Sequence, residues 1–383
     1  MTTRYAGRLG LQQRVLPNYR VPFFDRLAGA CSGGLSVFAG LPRPDEGITS
    51  GLPLTANYAP AANMHILSGP LYLCRQEGLR EWLVNWDPDA LVVEANPRYL
   101  STPSAVSWMH ARGRKVIGWG LGSPPLSGPL GGIRRARRLR FIRQFDALIA
   151  YSRRGAAEYA ALGFPSERIF IATNSAAPRP TRTPRRPRPR SGRPSLIFVG
   201  RLQARKHVDS LLRACAELRE PKPALVIIGD GPEKPALKAL ARKVFPAAQF
   251  VGAKRGDELR PYFAAADLFV LPGTGGLAVQ EAMVHGLPII VARGDGTQDD
   301  LVRGANGWQI PADDFPALVA ALRTALSDPW RLRKMGAESF RIVSEEINLE
   351  TMVSVFVEAL NSAKRSNEHR PAQASRVQGG AGL

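Results

Sequence analysis

Apolar residues along this chain fall into two alternating patterns. Short unbroken runs of four or five, each closed by glycine or a polar turn, alternate with stretches where apolar positions recur every three or four residues. The first pattern fits a strand buried on both faces, the second a helix lying on a sheet. The second half shows it most cleanly. Ser195–Val199 (SLIFV) predicts a strand ending at Gly200, and 206–218 a helix with Leu211, Leu212, Cys215 and Leu218 on one face. Ala224–Ile228 (ALVII) predicts the next strand, closed by GDGP, then a helix over 235–244 carrying Leu237, Leu240 and Val244. Residues 249–251, Leu268–Leu271 (LFVL) and 288–291 (PIIV) predict further strands. A helix is expected over 259–265 and another after the turn GTGG.

The first half alternates less regularly. Strands are predicted at 8–12, 35–39, 91–94 (LVVE), 115–118 (KVIG), 145–151 and 168–172, and a helix over 23–30. Between the halves, 178–194 (PRPTRTPRRPRPRSGRP) holds six prolines, seven arginines and no acid. Proline excludes a helix interior and like charges keep the segment stretched, so it reads as a linker. The pattern predicts α/β architecture: two doubly wound, Rossmann-like domains over 1–177 and 195–347, a helix over 348–364 and a disordered tail over 365–383. Ligands of such sheets sit beyond the carboxyl ends of the strands, so the cleft between the two domains is the expected site.

Composition narrows the class. With 383 residues, 44% of them hydrophobic, the chain has apolar material for two cores and too much for a disordered protein. No apolar run approaches the ~20 residues that cross a bilayer. The first residues show no leader-like apolar region. Cys31, Cys74 and Cys215 are far apart, which suits a reducing cytoplasm and offers no metal cluster. The net charge of +20 is the anomaly. Besides the linker, it is concentrated in 134–143 (RRARRLRFIR), where Arg134 through Arg143 include six arginines, and in the tail. With Leu139, Ile142 and Phe145 as apolar positions, 134–143 suits an anionic membrane surface, predicting peripheral attachment at the inner face of the cell membrane. Nucleic acid is the competing polyanion, but no zinc spacing, RNP-like aromatic motif or basic-zipper pattern accompanies the arginines.

Four elements that follow strands carry candidate chemistry. Gly200-Arg201 with Lys206 brings two cations to a strand end, apt for a diphosphate. Taken alone, two loop cations are plainly read as solvated charge. Gly229-Asp230-Gly231-Pro232 is a tight turn into a helix. Gly273 to Leu277 (GTGGL) leads into a helix N-terminus, where free N–H groups and the dipole favour an anion, and Glu281 one turn on could accept ribose hydroxyls. Residues 294–300 (GDGTQDD) form a last glycine turn before a helix.

In this order and spacing, LIFVGRLQARK, LVIIGDGPEKPAL, GGLAVQEAMVHGLPIIVA and GANGWQIPADD resemble the C-terminal domain of a GT-B glycosyltransferase of family 4. FDALIAYS and LGFPSERIFIATN resemble the end of that family's N-terminal domain. The resemblance implies a retaining transfer of sugar from a nucleotide-sugar to an acceptor hydroxyl, with no metal and no other cofactor. Gly200, Arg201, Lys206, Gly229, Asp230, Gly275, Gly276, Leu277 and Glu281 would hold the donor. Among them Arg201 and Lys206 would stabilise the leaving diphosphate, the catalytic task, and Glu281 would match the second Glu of the Glu-x7-Glu motif. The first Glu is missing: Gly273 stands there. The last helix would return to the N-domain. The acceptor, lipid-linked or saccharide, would belong to the N-domain, where loop placement nominates Arg14, Tyr19, Glu94, Asn96 and Arg98. Trp119 lies where relatives carry a histidine near the transferred sugar. A GT-B epimerase, a degenerate member and a basic polyanion-binding protein are the competing readings; the GGLAVQEAM text favours the transferase.

Overall fold

The computed structural model describes residues 4–53, 55–125, 131–185, 193–275 and 277–362. Gly276, residues 186–192 of the expected linker and the tail from 363 lie outside them. Two sheets organise the molecule. The first has eight strands: β1 (Leu9–Val15), β2 (Leu35–Gly40), β3 (Asn57–Ile66), β4 (Leu73–Glu77), β5 (Ala90–Glu94), β6 (Lys115–Gly120), β7 (Ala147–Ala150) and β8 (Ile169–Ile171), in the order β4-β3-β2-β1-β5-β6-β7-β8. The second has six: β9 (Ser195–Val199), β10 (Ala224–Ile228), β11 (Ala248–Gly252), β12 (Leu268–Leu271), β13 (Ile289–Ala292) and β14 (Gly307–Ile310), in the order β11-β10-β9-β12-β13-β14. Every pairing is parallel except β3 with β4. The order reverses direction beside β1 in one sheet and beside β9 in the other, so the crevices that accept ligands open between β1 and β5 and between β9 and β12.

The central strands read as apolar runs are buried on both faces, whereas the edge strands β8 and β11 are only partly buried. β2 and β7 are buried throughout. The antiparallel hairpin β3–β4 was not signalled by any apolar run, because its exposure alternates with position, as an edge with one solvated face requires. The helix expected from 206 starts only at Val208: His207 sits at φ +52, left-handed, and separates it from a short turn over Ala204–Lys206. The strand expected over 145–151 shortens to Ala147–Ala150, because the Asp146 carboxylate instead accepts the Val116 N–H at 2.7 Å.

The last helix, Leu349–Ser362, packs in the core of the first sheet. Phe356 meets Phe23 and Trp119 at ring separations of 4.9 and 5.0 Å. The chain crosses back through one buried amide. Gln280, 1% exposed, donates to the Ser175 hydroxyl and the Ile347 carbonyl and accepts from the N–H groups of Ala176 and Ala177. Each such bond contributes about 1 kcal/mol net, and leaving these buried partners unmet costs more.

Candidate functional site: two strand-end clusters facing one cleft

The carboxyl end of the second sheet is built from backbone. Gly229 lies at φ +148, and a Cβ there would stand 1.9 Å from the Gly200 carbonyl oxygen, so the turns after β9 and β10 touch main chain to main chain. Gly273 is as constrained: a Cβ would meet the Arg205 carbonyl oxygen at 2.2 Å and the Lys206 Cα at 2.5 Å. The position where the motif resemblance expects a carboxylate therefore has no room for a side chain, because the Arg205–Lys206 backbone occupies it. That close packing brings Lys206 to the next turn. Its half-buried ammonium donates to the Thr274 carbonyl and lies against Gly275, whose own carbonyl accepts Gln298 Nε2 at 3.1 Å. Burial, with a smaller push from Arg205, lowers the Lys206 ammonium to about 8. A cation held this way, with no carboxylate beside it among the described residues, is poised for an anion. Leu277 and Glu281 lie on the helix Leu277–Val284 that follows. Glu281 is half-buried, its carboxylate has no hydrogen-bond or ion-pair partner among the described residues, and burial pushes its carboxyl upward.

Arg201 is placed differently from Lys206. It is exposed and reaches across the cleft to the Gly47 carbonyl at 3.0 Å. The loop it touches is tied by Glu46, which pairs with Arg14 at 3.0 Å. Asp230 faces solvent, where it pairs with Lys234 at 2.5 Å. Gln298 and Thr274 join the cluster from the two glycine turns already marked, 294–300 and 273–277, although neither was assigned a role of its own.

The carboxyl end of the first sheet is built from side chains. Glu94, Asn96, Arg98 and Trp119 line one cavity of about 660 Å³, together with Arg138, Arg154, Glu158 and, from the second sheet's side, Asp295. Glu94, at the end of β5, accepts the Arg14 N–H at 2.6 Å, and burial pushes its carboxyl up to about 7. Asn96 accepts the Arg98 N–H at 3.1 Å and so shapes its own turn. Three expectations are corrected. Arg14 is not open to an acceptor, because its guanidinium is taken by Glu46. Tyr19, 39% exposed beneath Arg20, does not line the cavity. Trp119 is not a free wall for a sugar: it is 1% exposed and enclosed by Phe23, Tyr151, Phe356 and the Arg20 guanidinium, 4.6 Å from its ring. Arg138 belongs to the basic segment 134–143 expected at a membrane surface and instead lines this cavity, and Arg154 and Glu158 were not nominated; their spacing of four on one helix was the available signal.

The two ends meet. Arg154 donates to the Gly294 carbonyl at 3.3 Å and the Arg153 N–H to Asp300 at 2.8 Å. Among the described residues no group of three His, Cys, Asp or Glu side chains is arranged for a metal, and no helix is long and apolar enough to cross a membrane.

Comparison with known proteins agrees with this architecture. Residues 193–328 match the family model of glycosyl transferases group 1. The glycogen synthase of Mycobacterium tuberculosis (strain H37Rv) is 30% identical over 191 residues, 48% of this chain and 46% of that protein. A GDP-mannose-dependent alpha-(1-6)-phosphatidylinositol monomannoside mannosyltransferase of Mycolicibacterium smegmatis is 33% identical over 159 residues, 38% of this chain and 41% of that protein. The chain thus spans under half the length of these relatives. Over the whole fold, the lipopolysaccharide outer core galactosyltransferase WaaB superposes with a TM-score of 0.67 at 16% identity, covering 93% of this chain and 99% of that one. Anabaena HepE, solved with UDP and glucose, superposes at 0.63 and 16% identity over 94% of this chain and all of its own. The chain has the GT-B glycosyltransferase fold, and its second half carries a group 1 glycosyltransferase domain.

Proposed function

We propose that this chain, a GT-B protein with a group 1 domain, transfers a sugar from a nucleotide-sugar bound at the second sheet to a hydroxyl of an acceptor bound at the first. The observation that carries the reading is Lys206: a half-buried ammonium with no acid partner among the described residues, laid against Gly275 at the crevice between β9 and β12. Glu281, one helical turn on, whose carboxylate has no partner among the described residues, supports it, since a carboxylate there can accept two ribose hydroxyls. Arg201 would exchange the Gly47 carbonyl for the diphosphate as the donor enters. In the transfer, the bond from the anomeric carbon to the diphosphate breaks and a bond from that carbon to the acceptor oxygen forms. The acceptor proton passes to the departing phosphate. Positive charge from Lys206, Arg201 and the backbone N–H groups of the 273–277 turn stabilises the leaving group, the task a metal performs elsewhere, so the reaction is expected to run without one. Retention at the anomeric carbon rests on the family resemblance. A place beside an anionic membrane rests instead on the arginines of the helix Gly131–Ile142 and on the exposed Ile133.

A thermal-shift panel of UDP-, GDP- and ADP-sugars tests the donor site, with Lys206→Met and Glu281→Ala as controls. One nucleotide class should raise the melting temperature of the wild type and not of either variant. Equal shifts in all three proteins would place the donor elsewhere.

A further inference from the structure

Arg20 is a buried cation that no acid touches among the described residues. It ends the turn Asn18–Arg20 that leads into the helix Val21–Ala30, and it is 4% exposed. Its guanidinium lies on two rings, 4.6 Å from Trp119 and 5.3 Å from Tyr151. Among the described residues its side chain meets no hydrogen-bond acceptor, and Nη1 is a buried donor without a partner. Aromatic faces offset only part of the cost of taking a guanidinium out of water. A neutral side chain of similar length would fill this place at less cost, so the charge itself needs a reason.

The acid that feels this charge is Glu94. β5 and β6 pair with Glu94 opposite Trp119, which puts the two side chains on one face of the sheet. Glu94, Trp119 and Tyr151 line the same cavity, and Arg20 stands behind the two rings. The other ionisable groups facing Glu94 leave Arg20 the deciding one. Arg14 gives its backbone N–H to Glu94, but its guanidinium is held by both oxygens of Glu46, at 3.0 Å each. Cys74, Tyr99 and Tyr151 are also coupled to Glu94. Burial raises all three, so they stay neutral while Glu94 titrates. Burial likewise pushes Glu94 up, the Arg14 and Arg20 charges pull it back, and it settles at about 7. With Arg14 answered by Glu46, the unshared charge is that of Arg20.

We propose that Arg20 is a positioning residue of the transfer: its unshared charge, held behind the Trp119 and Tyr151 rings, keeps Glu94 a carboxylate at the cavity wall, ready to accept the hydrogen bond of the acceptor hydroxyl. Neither residue makes or breaks a bond to carbon, and the hydroxyl proton still passes to the departing phosphate. The role in transfer rests on the transferase reading above; the action of Arg20 on Glu94 does not.

Infrared spectra of the full chain, titrated from pH 5 to pH 9, test that action without any substrate. The difference between wild type and Glu94→Gln isolates the carboxyl band of Glu94, and the same difference in an Arg20→Met background isolates it without the neighbouring charge. Removing an opposite charge this near should move the midpoint up by about one pH unit or more, and Arg20→Lys should bring it back. Hydrolysis of the nucleotide-sugar that the panel selects, with water in place of the acceptor hydroxyl, gives the second readout. At saturating donor, Arg20→Met should lower kcat about fivefold at pH 7 and less than about twofold at pH 9, since a one-unit shift cuts the ionised fraction of Glu94 from about a half to about a tenth at pH 7 alone. Arg20→Lys should restore the pH 7 rate, and Arg20→Met should have no further effect in a Glu94→Gln background. Arg20→Gln, also neutral, keeps the test open if Arg20→Met does not fold. Equal midpoints in the wild-type and Arg20→Met backgrounds overturn the proposal. So does a rate lowered by the same factor at every pH, which would make Arg20 a packing residue only. If no nucleotide protects the chain while the midpoints move as stated, the donor assignment falls and the action of Arg20 on Glu94 stands.

Discussion

The two strand-end clusters solve opposite problems with opposite materials. At the second sheet, glycines bring main chain against main chain, and a half-buried lysine and Gln298 bond the carbonyls of the glycine turn at 273–275. At the first sheet, five stretches of chain, loops and helices, converge, and arginines, carboxylates and aromatics face each other across a cavity. On the proposed reading, the second sheet's site suits what nucleotide-sugar donors share, a diphosphate at the glycine turn and a ribose at Glu281. A side-chain site is free to differ from one acceptor to the next.

The widest separation of the two regions is tested through the last helix. Phe356 belongs to the core of the first sheet alone. Phe356→Ala should cost about 3–5 kcal/mol there, lowering the melting temperature of the first domain while nucleotide still protects the second. A single transition in which nucleotide binding vanishes with the fold would show that the halves are not separable. Next in size is Lys206→Met, which should reduce turnover by about 10²–10³, the usual loss when one preorganised donor to a developing anion is removed. Steady-state kinetics at saturating acceptor measure it. Gly273→Ala comes third. Its methyl has no room against Arg205, so a cost of about 1–3 kcal/mol is expected, and the displaced Lys206 should weaken nucleotide binding; unchanged affinity would mean that the 205–206 backbone does not position the lysine.

The donor cluster was legible because its requirements are local. A glycine that must approach another backbone, a lysine seven residues after a strand end and a carboxylate one turn into a helix are all local spacing constraints. Even there one contact was out of reach: Arg201, placed with Lys206, crosses in the structure to the Gly47 carbonyl, a partner 154 residues away that local spacing cannot signal. The acceptor cluster was mostly illegible. Glu94, Asn96 and Arg98 could be nominated because they follow a strand, but Arg138, Arg154 and Glu158 reach the same cavity from helices. Trp119 shows the limit of placement by strand end: its neighbours Phe23, Arg20 and Phe356 turn a cleft position into a core one. The hairpin β3–β4 escaped for the same reason, since an edge hairpin with one wet face carries no apolar run.

The smallest effects concern protons. Glu94, near 7, and Lys206, near 8, place one titration in each region. If the Glu94 carboxylate accepts a hydrogen bond from the acceptor hydroxyl before its proton passes to the phosphate, turnover should rise as pH passes 7, and Glu94→Gln should flatten that limb alone. The high-pH limb belongs to Lys206: the empty site loses its proton near 8, whereas a bound diphosphate retains it, so affinity is level below 8 and falls above.

That falling limb is the most direct test of the central claim, that a lysine wedged into a glycine turn holds the donor diphosphate. The dissociation constant of the nucleoside diphosphate that the panel selects should be measured by calorimetry from pH 7 to pH 10, for wild type and Lys206→Met. Wild-type binding should weaken by up to about tenfold per pH unit above 8, with proton uptake on binding, and the variant should bind weakly and show no such break. Identical affinities and identical pH profiles for the two proteins would contradict it.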